Sequence, residues 1–458
     1  MTEQEYPVLV DRATTPSLAH LEQDFQPPQK VKPQITSTHD FSPLFPELVH
    51  TAQTIPNVEN LSFVQISENI PARYVMVHEP NLEVFVGSLH PVGSLYETSV
   101  DIEHTRECHQ AFTDALKRNG CIVLRVVDVL KADCDINIRA RIALERLAED
   151  YLTYTPSVSI DQFKDASYYL SSDYKRENIR KMSDDQLVQI ILTRPNIVLS
   201  PSSRNTPVTA IRFDLRPLGN LVFCRDQQIT TSKGIVMSRL NSSQREAESR
   251  IMQFCWEKLG IPVVGKIPEP HFLEGGDFYT VKPDLCMLGV GLRSTYSAAV
   301  YLMENDLLGT RRFAVVRDDH DRNQDRMHLD CIFNIIDDGH VLLLEDVMDP
   351  NSNKMRYVDE YVRQVDKSYS LKRKNIPLYQ FLEDESYQII TVSNEEQLKY
   401  ACNHLNLGNG SVVGVHKEVA RRIGSLPNYK GSIEYVEFDG VTSMYGAAHC
   451  ATQVFSRY

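Results

Sequence analysis

Hydrophobic positions divide the chain. From Ala72 onward short apolar runs alternate with amphipathic stretches, whereas residues 1–70 are rich in Pro, Gln, Ser and Thr, with Pro27, Pro28, Pro43, Pro46 and Pro56. That composition predicts a loosely ordered N-terminal extension. Residues 74–78 (Tyr-Val-Met-Val-His) read as a buried strand, 105–119 as a helix stopped by Gly120, and 121–129 as an apolar strand interrupted by Arg125 and Asp128. Residues 131–206 turn helical. Ile138, Ile142, Leu144 and Leu147 share a broad face over 137–152, and helices over 161–170 and 184–192 follow. This stretch reads as a helical insert between two α/β units.

A strand–strand–helix–strand order then recurs. Strands are predicted at 221–225 and 234–237. A helix follows over 242–259, with Ala247, Ile251, Cys255 and Leu259 at i+4 steps and Gly260 at its end, and then a strand at 261–264. The next unit has strands at 272–273 and 285–289, a helix at 295–308 before Gly309, and a strand at 313–316. A third starts with 328–336 and 340–344. The last has 388–392, a helix at 395–405, and strands at 412–415 and 433–438. A step of about 50 residues predicts an array of similar modules. Acids recur within it: Asp226 ends the first strand of one unit, Glu274 and Asp277 follow that of the next, and Asp330 lies in that of the third. Modules around an axis would gather these carboxylates, which is costly unless a metal ion or an organic cation neutralises them.

Composition narrows the class. A chain of 458 residues, 42% hydrophobic and 24% charged, is ordinary globular material for one large domain with additions, or for two to three domains. The net charge of −13, with no basic cluster beyond Lys372–Lys374, argues against a nucleic-acid partner and suits a small cationic substrate. The nine cysteines (108, 121, 134, 224, 255, 286, 331, 402 and 450) are scattered and form no CxxC pair. They read as reduced cytosolic thiols and not as a disulfide frame or zinc site. No basic segment precedes an apolar run at the start, and no run of about 18 apolar residues occurs, so neither a signal peptide nor a membrane span is expected.

Four segments carry candidate chemistry. They are Gly219-Asn220-Leu221-Val222-Phe223-Cys224-Arg225-Asp226, Phe272-Leu273-Glu274-Gly275-Gly276-Asp277, Met327-His328-Leu329-Asp330 and Gly446-Ala447-Ala448-His449-Cys450-Ala451-Thr452. In this order and spacing they resemble the guanidine-modifying (pentein) superfamily, and within it most closely the arginine deiminases. The likeness covers about residues 72–458. Leu95-Tyr96-Glu97, followed by a helix with His109, looks like the family's first module.

The resemblance implies a five-bladed α/β propeller spanning 71–458, interrupted by the 131–206 insert, with the site on its axis. It implies that Asp226 and Asp330 accept hydrogen bonds from a guanidinium, a planar cation with donors in fixed geometry. Cys450 would attack the guanidinium carbon as a thiolate. His328 would protonate the leaving ammonia and then activate water, and Glu274 would orient His328. Asn220, Arg245 and Arg293 match positions that bind the substrate carboxylate, Phe223 would pack on its aliphatic stem, and Asp277 is a further binding candidate. The implied reaction converts free L-arginine to L-citrulline and ammonia, with no cofactor and no metal, in the cytoplasm, in a chain that forms a homo-dimer or tetramer.

The sequence also departs from the family pattern. Tyr445 stands where an Arg is usual, in a loop whose glycines are largely replaced, which stiffens it. Cys224 replaces a usual Thr, and the acidic pair common near Glu97-Thr98-Ser99 is absent as such. Other readings stay open. They are an arginine dihydrolase giving ornithine, carbon dioxide and two ammonia, an amidinotransferase, a metal-dependent hydrolase using His328, Asp330, Glu274 and Asp277, and a non-enzymatic arginine binder.

Overall fold

The computed structural model describes residues 63–202 and 204–458. The expectation for 1–62 lies outside the described residues. The chain is mixed α/β, and the described residues form six sheets. Five share one three-stranded design, one of these being extended to five strands by Tyr357–Arg363 and Tyr369–Pro377, and the sixth comprises Thr153–Pro156, Asn196–Pro201 and Val208–Asp214. In four of the five, an inner strand pairs antiparallel with a middle strand, and a helix crosses over to an outer strand parallel to the middle one. These sheets run Gln228–Thr231, Gly234–Met237, Val263–Lys266; Phe278–Lys282, Leu285–Val290, Arg312–Arg317; Phe333–Ile335, His340–Leu344, Gln388–Val392; and Leu405–Gly408, Ser411–Gly414, Ser432–Tyr435. The fifth is completed by the end of the chain: Gln453–Arg457 pairs antiparallel with Ala72–Val77, which is parallel to Ile122–Arg125.

Local sequence explains the crossover helices. Asp101 caps Ile102–Arg118 by accepting from Glu103 N and His104 N, and the chain then turns at Gly120 with φ +85°. Thr295 caps Tyr296–Glu304 in the same way. Glu246–Lys258 buries Ile251, Met252, Cys255 and Trp256 in one apolar cluster. The helices Ile138–Tyr151 and Asp184–Thr193 add Leu144, Leu147, Leu187 and Ile191 to that same cluster.

Several elements differ from the sequence expectation. Residues 121–129 split into the strand Ile122–Arg125 and the helix Val126–Lys131, across which Arg125 pairs with Asp128. The 131–206 region is not all helical: Thr153–Pro156 and Asn196–Pro201 pair in parallel, and Val208–Asp214 joins antiparallel beyond it. The strands expected at 221–225 and 272–273 are turn and loop, with the inner strands beginning after them at Gln228 and Phe278, and of 328–336 only Phe333–Ile335 is strand. The helix expected at 395–405 stops at Leu398; Tyr400 has φ +62° and Leu405 already starts a strand.

Buried polar residues link the inner strands. Gln453 Nε2 donates to Thr230 Oγ1 at 2.8 Å, Gly275 N to Asp226 O at 3.2 Å, and Tyr279 OH to Phe333 O at 3.2 Å. Asn334 Nδ2 donates to His404 O at 2.8 Å, and Arg457 Nη2 to Asn406 O at 2.9 Å. Arg457 also pairs with Glu68 and donates to the Glu68 and Ile70 carbonyls, tying the segment ahead of Ala72 to two sheets. Replacing one member of such a buried pair strands the other charge. Arg457→Met is therefore expected to lower the unfolding free energy by about 3–5 kcal/mol, read from the urea midpoint. An unchanged midpoint would show that the Glu68 pair is dispensable.

Candidate active site

Each inner strand is preceded by a turn, and these turns hold the candidate site residues. Asp226 lies ahead of Gln228–Thr231, Glu274 and Asp277 ahead of Phe278–Lys282, and Asp330 ahead of Phe333–Ile335. Asn403 lies ahead of Leu405–Gly408 and Cys450 ahead of Gln453–Arg457. Close backbone approach makes this possible. Gly276 N donates to Asp226 Oδ1 at 3.2 Å, and a Cβ on Gly275 would lie 1.9 Å from the Arg225 carbonyl oxygen. Only glycine fits at position 275.

His328 Nε2 is 2.7 Å from Glu274 Oε2, and its Nδ1 lies 3.9 Å from Asp226 Oδ1. Glu274 Oε1 accepts from Asn241 N at 2.9 Å. Burial alone would lower the His328 pKa; Asp226, Glu274 and Asp277 outweigh it and raise it to about 10. Burial likewise disfavours the Glu274 carboxylate, but the bond and charge of His328 hold its pKa down at about 2. The pair is therefore carboxylate and imidazolium at neutral pH.

Cys450 is held by a second set of partners. Its Sγ is 3.3 Å from Asp330 Oδ2 and accepts from Asn403 Nδ2 at 3.1 Å. Asn403 Oδ1 accepts from the Ala447 and Cys450 amides at 3.2 and 3.1 Å, so this one side chain clamps both backbone and sulfur of the loop. His449 Nδ1 is 2.8 Å from Asp330 Oδ2, and its ring stacks on Tyr279 at 5.1 Å. Burial, then the Asp330 and Asp226 charges, push the Cys450 thiol well above its usual range. His449, by contrast, is lowered, first by burial and then by Arg225.

A narrow cavity opens between these groups. Cys450, His328, Asp226, Asn220, Phe223, Arg245 and Arg293 line it, with Leu95, Gln324, Met327, Met444 and Tyr445. Glu274 and Asp330 stand behind that lining. Asp277 faces elsewhere: it accepts from Ser294 Oγ at 2.6 Å and Leu329 N at 2.9 Å, and lines a second cavity that shares Met327 and His328 with the first. Burial raises the Asp277 pKa to about 7.

The expected carboxylate-binding trio divides. Arg245 meets protein anions, donating to Asp226 Oδ2 at 2.8 Å and pairing with Glu248 at 2.9 Å. Asn220 Nδ2 donates to Ser94 O at 2.9 Å. Arg293 donates to Gln324 Oε1 at 3.0 Å, and its buried Nε has no hydrogen-bond partner among the described residues. Phe223 packs on Gly446, where a Cβ would come 2.4 Å from its ring. Tyr445 adopts φ +67°, a left-handed conformation unusual for an aromatic residue. Asp226, Glu274 and His328 bring ligand atoms within 4.8 Å of one another, but Arg245 and the His328 imidazolium already neutralise them.

Sequence reasoning missed Asn403 and the part played by His449. His449 lies inside a quoted motif. Asn403 holds, in the last unit, the place that acids hold in the others, so a search for acids passes over it.

A mixed α/β framework and a buried thiol, imidazolium and carboxylate set around one cavity are features of a cysteine-based hydrolytic site. The arginine deiminase family model matches residues 93–457, and the chain belongs to that family of enzymes. An arginine deiminase of Halobacterium salinarum is 21% identical, covering 84% of this chain and 95% of the relative. One of Staphylococcus aureus is 22% identical over 70% of this chain and 78% of its own length. A solved dimethylarginine dimethylaminohydrolase aligns with TM-score 0.47 and 14% identity over 84% of this chain and 99% of that one. The family assignment rests on the sequence match.

Two outcomes are expected. Asn403→Ala removes the acceptor for two buried amides and should cost about 1–3 kcal/mol, seen in thermal unfolding; no loss would show that the loop holds itself. The raised His328 pKa means that its pairing stabilises the fold fully below the unfolded histidine value of about 6.5. That stability is lost as pH rises through about 10. In Glu274→Gln, NMR should show the His328 imidazole titrating at lower pH than in the wild type. An unmoved titration would leave Asp226 and Asp277 as the groups that set it.

Proposed function

We propose that the protein hydrolyses free L-arginine to L-citrulline and ammonia through an amidino-cysteine intermediate on Cys450. The supporting observation is the grouping of Cys450, His328 and Asp226 around one cavity, with Glu274 and Asp330 directly behind. A guanidinium between Asp226 and Asp330 would offset the two charges that, after burial, hold the Cys450 proton on. Substrate binding would thus release the thiolate. Asp226 has two engaged contacts, leaving further lone pairs for the substrate.

The thiolate adds to the guanidinium carbon, giving a neutral tetrahedral adduct. The His328 imidazolium delivers its proton to one amino group, ammonia leaves, and a cationic thiouronium remains on Cys450. Neutral His328 then takes a proton from water as its oxygen bonds to the same carbon. Collapse breaks the carbon–sulfur bond, returns the thiolate, and releases citrulline once the carbonyl oxygen loses its proton. Glu274 holds His328 oriented and charged throughout. Asp330, fixed by His449, aligns substrate and sulfur. Arg293, with its unpartnered Nε, would receive the α-carboxylate, which favours free arginine over agmatine.

The framework is read as a closed five-bladed propeller over 71–458, interrupted by the 131–206 insert. The chain of inner-strand hydrogen bonds and the completion of one sheet by Gln453–Arg457 support this reading. The nine free thiols support a reducing, cytosolic setting, and no helix among the described residues is long and apolar enough to cross a membrane.

Incubation with L-arginine in chelator, followed by mass spectrometry, tests the reaction. Citrulline with one ammonia is expected, and Cys450→Ala should lower kcat/KM by about three orders of magnitude or more. Ornithine with two ammonia would instead indicate the dihydrolase. A need for an amine acceptor would indicate amidino transfer, and loss of turnover in chelator a metal-dependent hydrolase. Arginine bound without turnover would indicate a binder.

A further inference from the structure

Away from this cavity, His104, Cys108 and Asp439 converge. His104 and Cys108 lie one turn apart on the helix Ile102–Arg118 and so share a face. Asp439 opens the short helix Asp439–Thr442, far along the chain and just ahead of the Cys450 loop. His104 Nε2 is 2.9 Å from Asp439 Oδ1 and 3.6 Å from Cys108 Sγ, and Cys108 Sγ is 3.5 Å from Asp439 Oδ1.

This triangle has the dimensions of a coordination face. Zinc bonds of about 2.3 Å to sulfur and about 2.0–2.1 Å to nitrogen and oxygen imply tetrahedral edges of about 3.5 Å to sulfur and about 3.3 Å between nitrogen and oxygen. Both sulfur edges match, and the nitrogen–oxygen edge needs to open by only a few tenths of an ångström. Packing fixes the face before any ion arrives: Thr105 Oγ1 donates to Gly440 O at 3.1 Å, and a Cβ on Gly440 would lie 2.8 Å from Thr105 Cα. Cys108 is buried, whereas the side chains of His104 and Asp439 are 44% and 66% exposed, so an ion can enter and its fourth position meets water.

We propose that His104, Cys108 and Asp439 form a binding site for a zinc-type divalent cation that pins the helix Ile102–Arg118 to the segment leading to Cys450. A thiolate and an imidazole select Zn²⁺ over Mg²⁺ or Ca²⁺, which favour oxygen ligands. The pinned segment matters for the cavity: the Ser443 carbonyl accepts from Glu97 N and Thr98 N, and Tyr445 lines the cavity wall. Metal binding replaces the His104–Asp439 hydrogen bond and displaces the Cys108 proton to solvent.

The test uses the full chain carrying Cys331→Ser and Cys450→Ala, because the sulfurs of both Cys331 and Cys450 lie against Asp330. ZnCl2 is titrated by calorimetry and CoCl2 by absorbance. One Zn²⁺ per chain and a thiolate-to-cobalt charge-transfer band are expected. Adding Cys108→Ser should abolish the band, and adding His104→Ala or Asp439→Asn should weaken Zn²⁺ binding at least tenfold. His104 and Asp439 are exposed, so these variants keep the test decisive should Cys108→Ser fail to fold. Absence of binding, or binding undiminished in the variants, as for an ion held by Asp226, Glu274 and His328, would overturn the proposal.

Discussion

Buried carboxylates are the constraint on which the rest of this molecule turns. Asp226, Glu248, Glu274, Asp277 and Asp330 are all almost wholly removed from solvent, and none can stay ionised there without a nearby cation or donor. Arg245 bridges Asp226 and Glu248, His328 meets Glu274 with Asp226 beyond it, and His449 holds Asp330. Asp277, served by a hydroxyl and an amide, has its pKa pushed up. The two imidazoles diverge for the same reason. His328 faces three carboxylates that outweigh its burial and raise its pKa, whereas at His449 burial, and then Arg225, outweigh Asp330 and lower it.

That charge arrangement depends on where the turns lie. A strand points successive side chains to opposite faces, which would scatter the groups of one motif. A turn lets the chain double back, so that Gly275 and Gly276 present amides to Asp226 while Glu274 reaches His328. The sheets then bring the turns together, and polar side chains on the inner strands, among them Thr230, Asn334, Asn406 and Gln453, bond from sheet to sheet. An apolar interior at the same place would offer the buried carbonyls and amides no partners.

Much of this order was legible in the chain. The crossover helices Ile102–Arg118, Glu246–Lys258 and Tyr296–Glu304 follow from apolar spacing and end residues, whereas Leu378–Asp384 and Lys417–Gly424 went unread. The strands His340–Leu344 and Gln388–Val392 stand where their apolar runs lie, but the second completes the third sheet and not the last. The inner strands were harder to see. Gln228–Thr231 is fully buried yet largely polar, so hydrophobicity pointed to its neighbour Leu221-Val222-Phe223, which is core but turn. The same displacement affected 272–273 and 328–336. The strands Thr153–Pro156, Asn196–Pro201 and Val208–Asp214 went unseen although Ile197, Val198, Ile211 and Phe213 are apolar, because they are short and flank strongly helical stretches.

By itself the sequence determined the class of the molecule: a repeated α/β unit and an ordered set of acid, His and Cys motifs specific enough to imply a family. Those properties are local or periodic, so they survive reading along one dimension. Only the tertiary structure decided which group serves which. It placed Arg245 on Asp226, turned Asp277 toward a second cavity, and gave Asn403 the Cys450 loop to hold. It also set His104 and Cys108 against Asp439. These pairings join residues far apart in the chain, and their energies depend on burial and on distances of a few ångströms, neither of which any local pattern records.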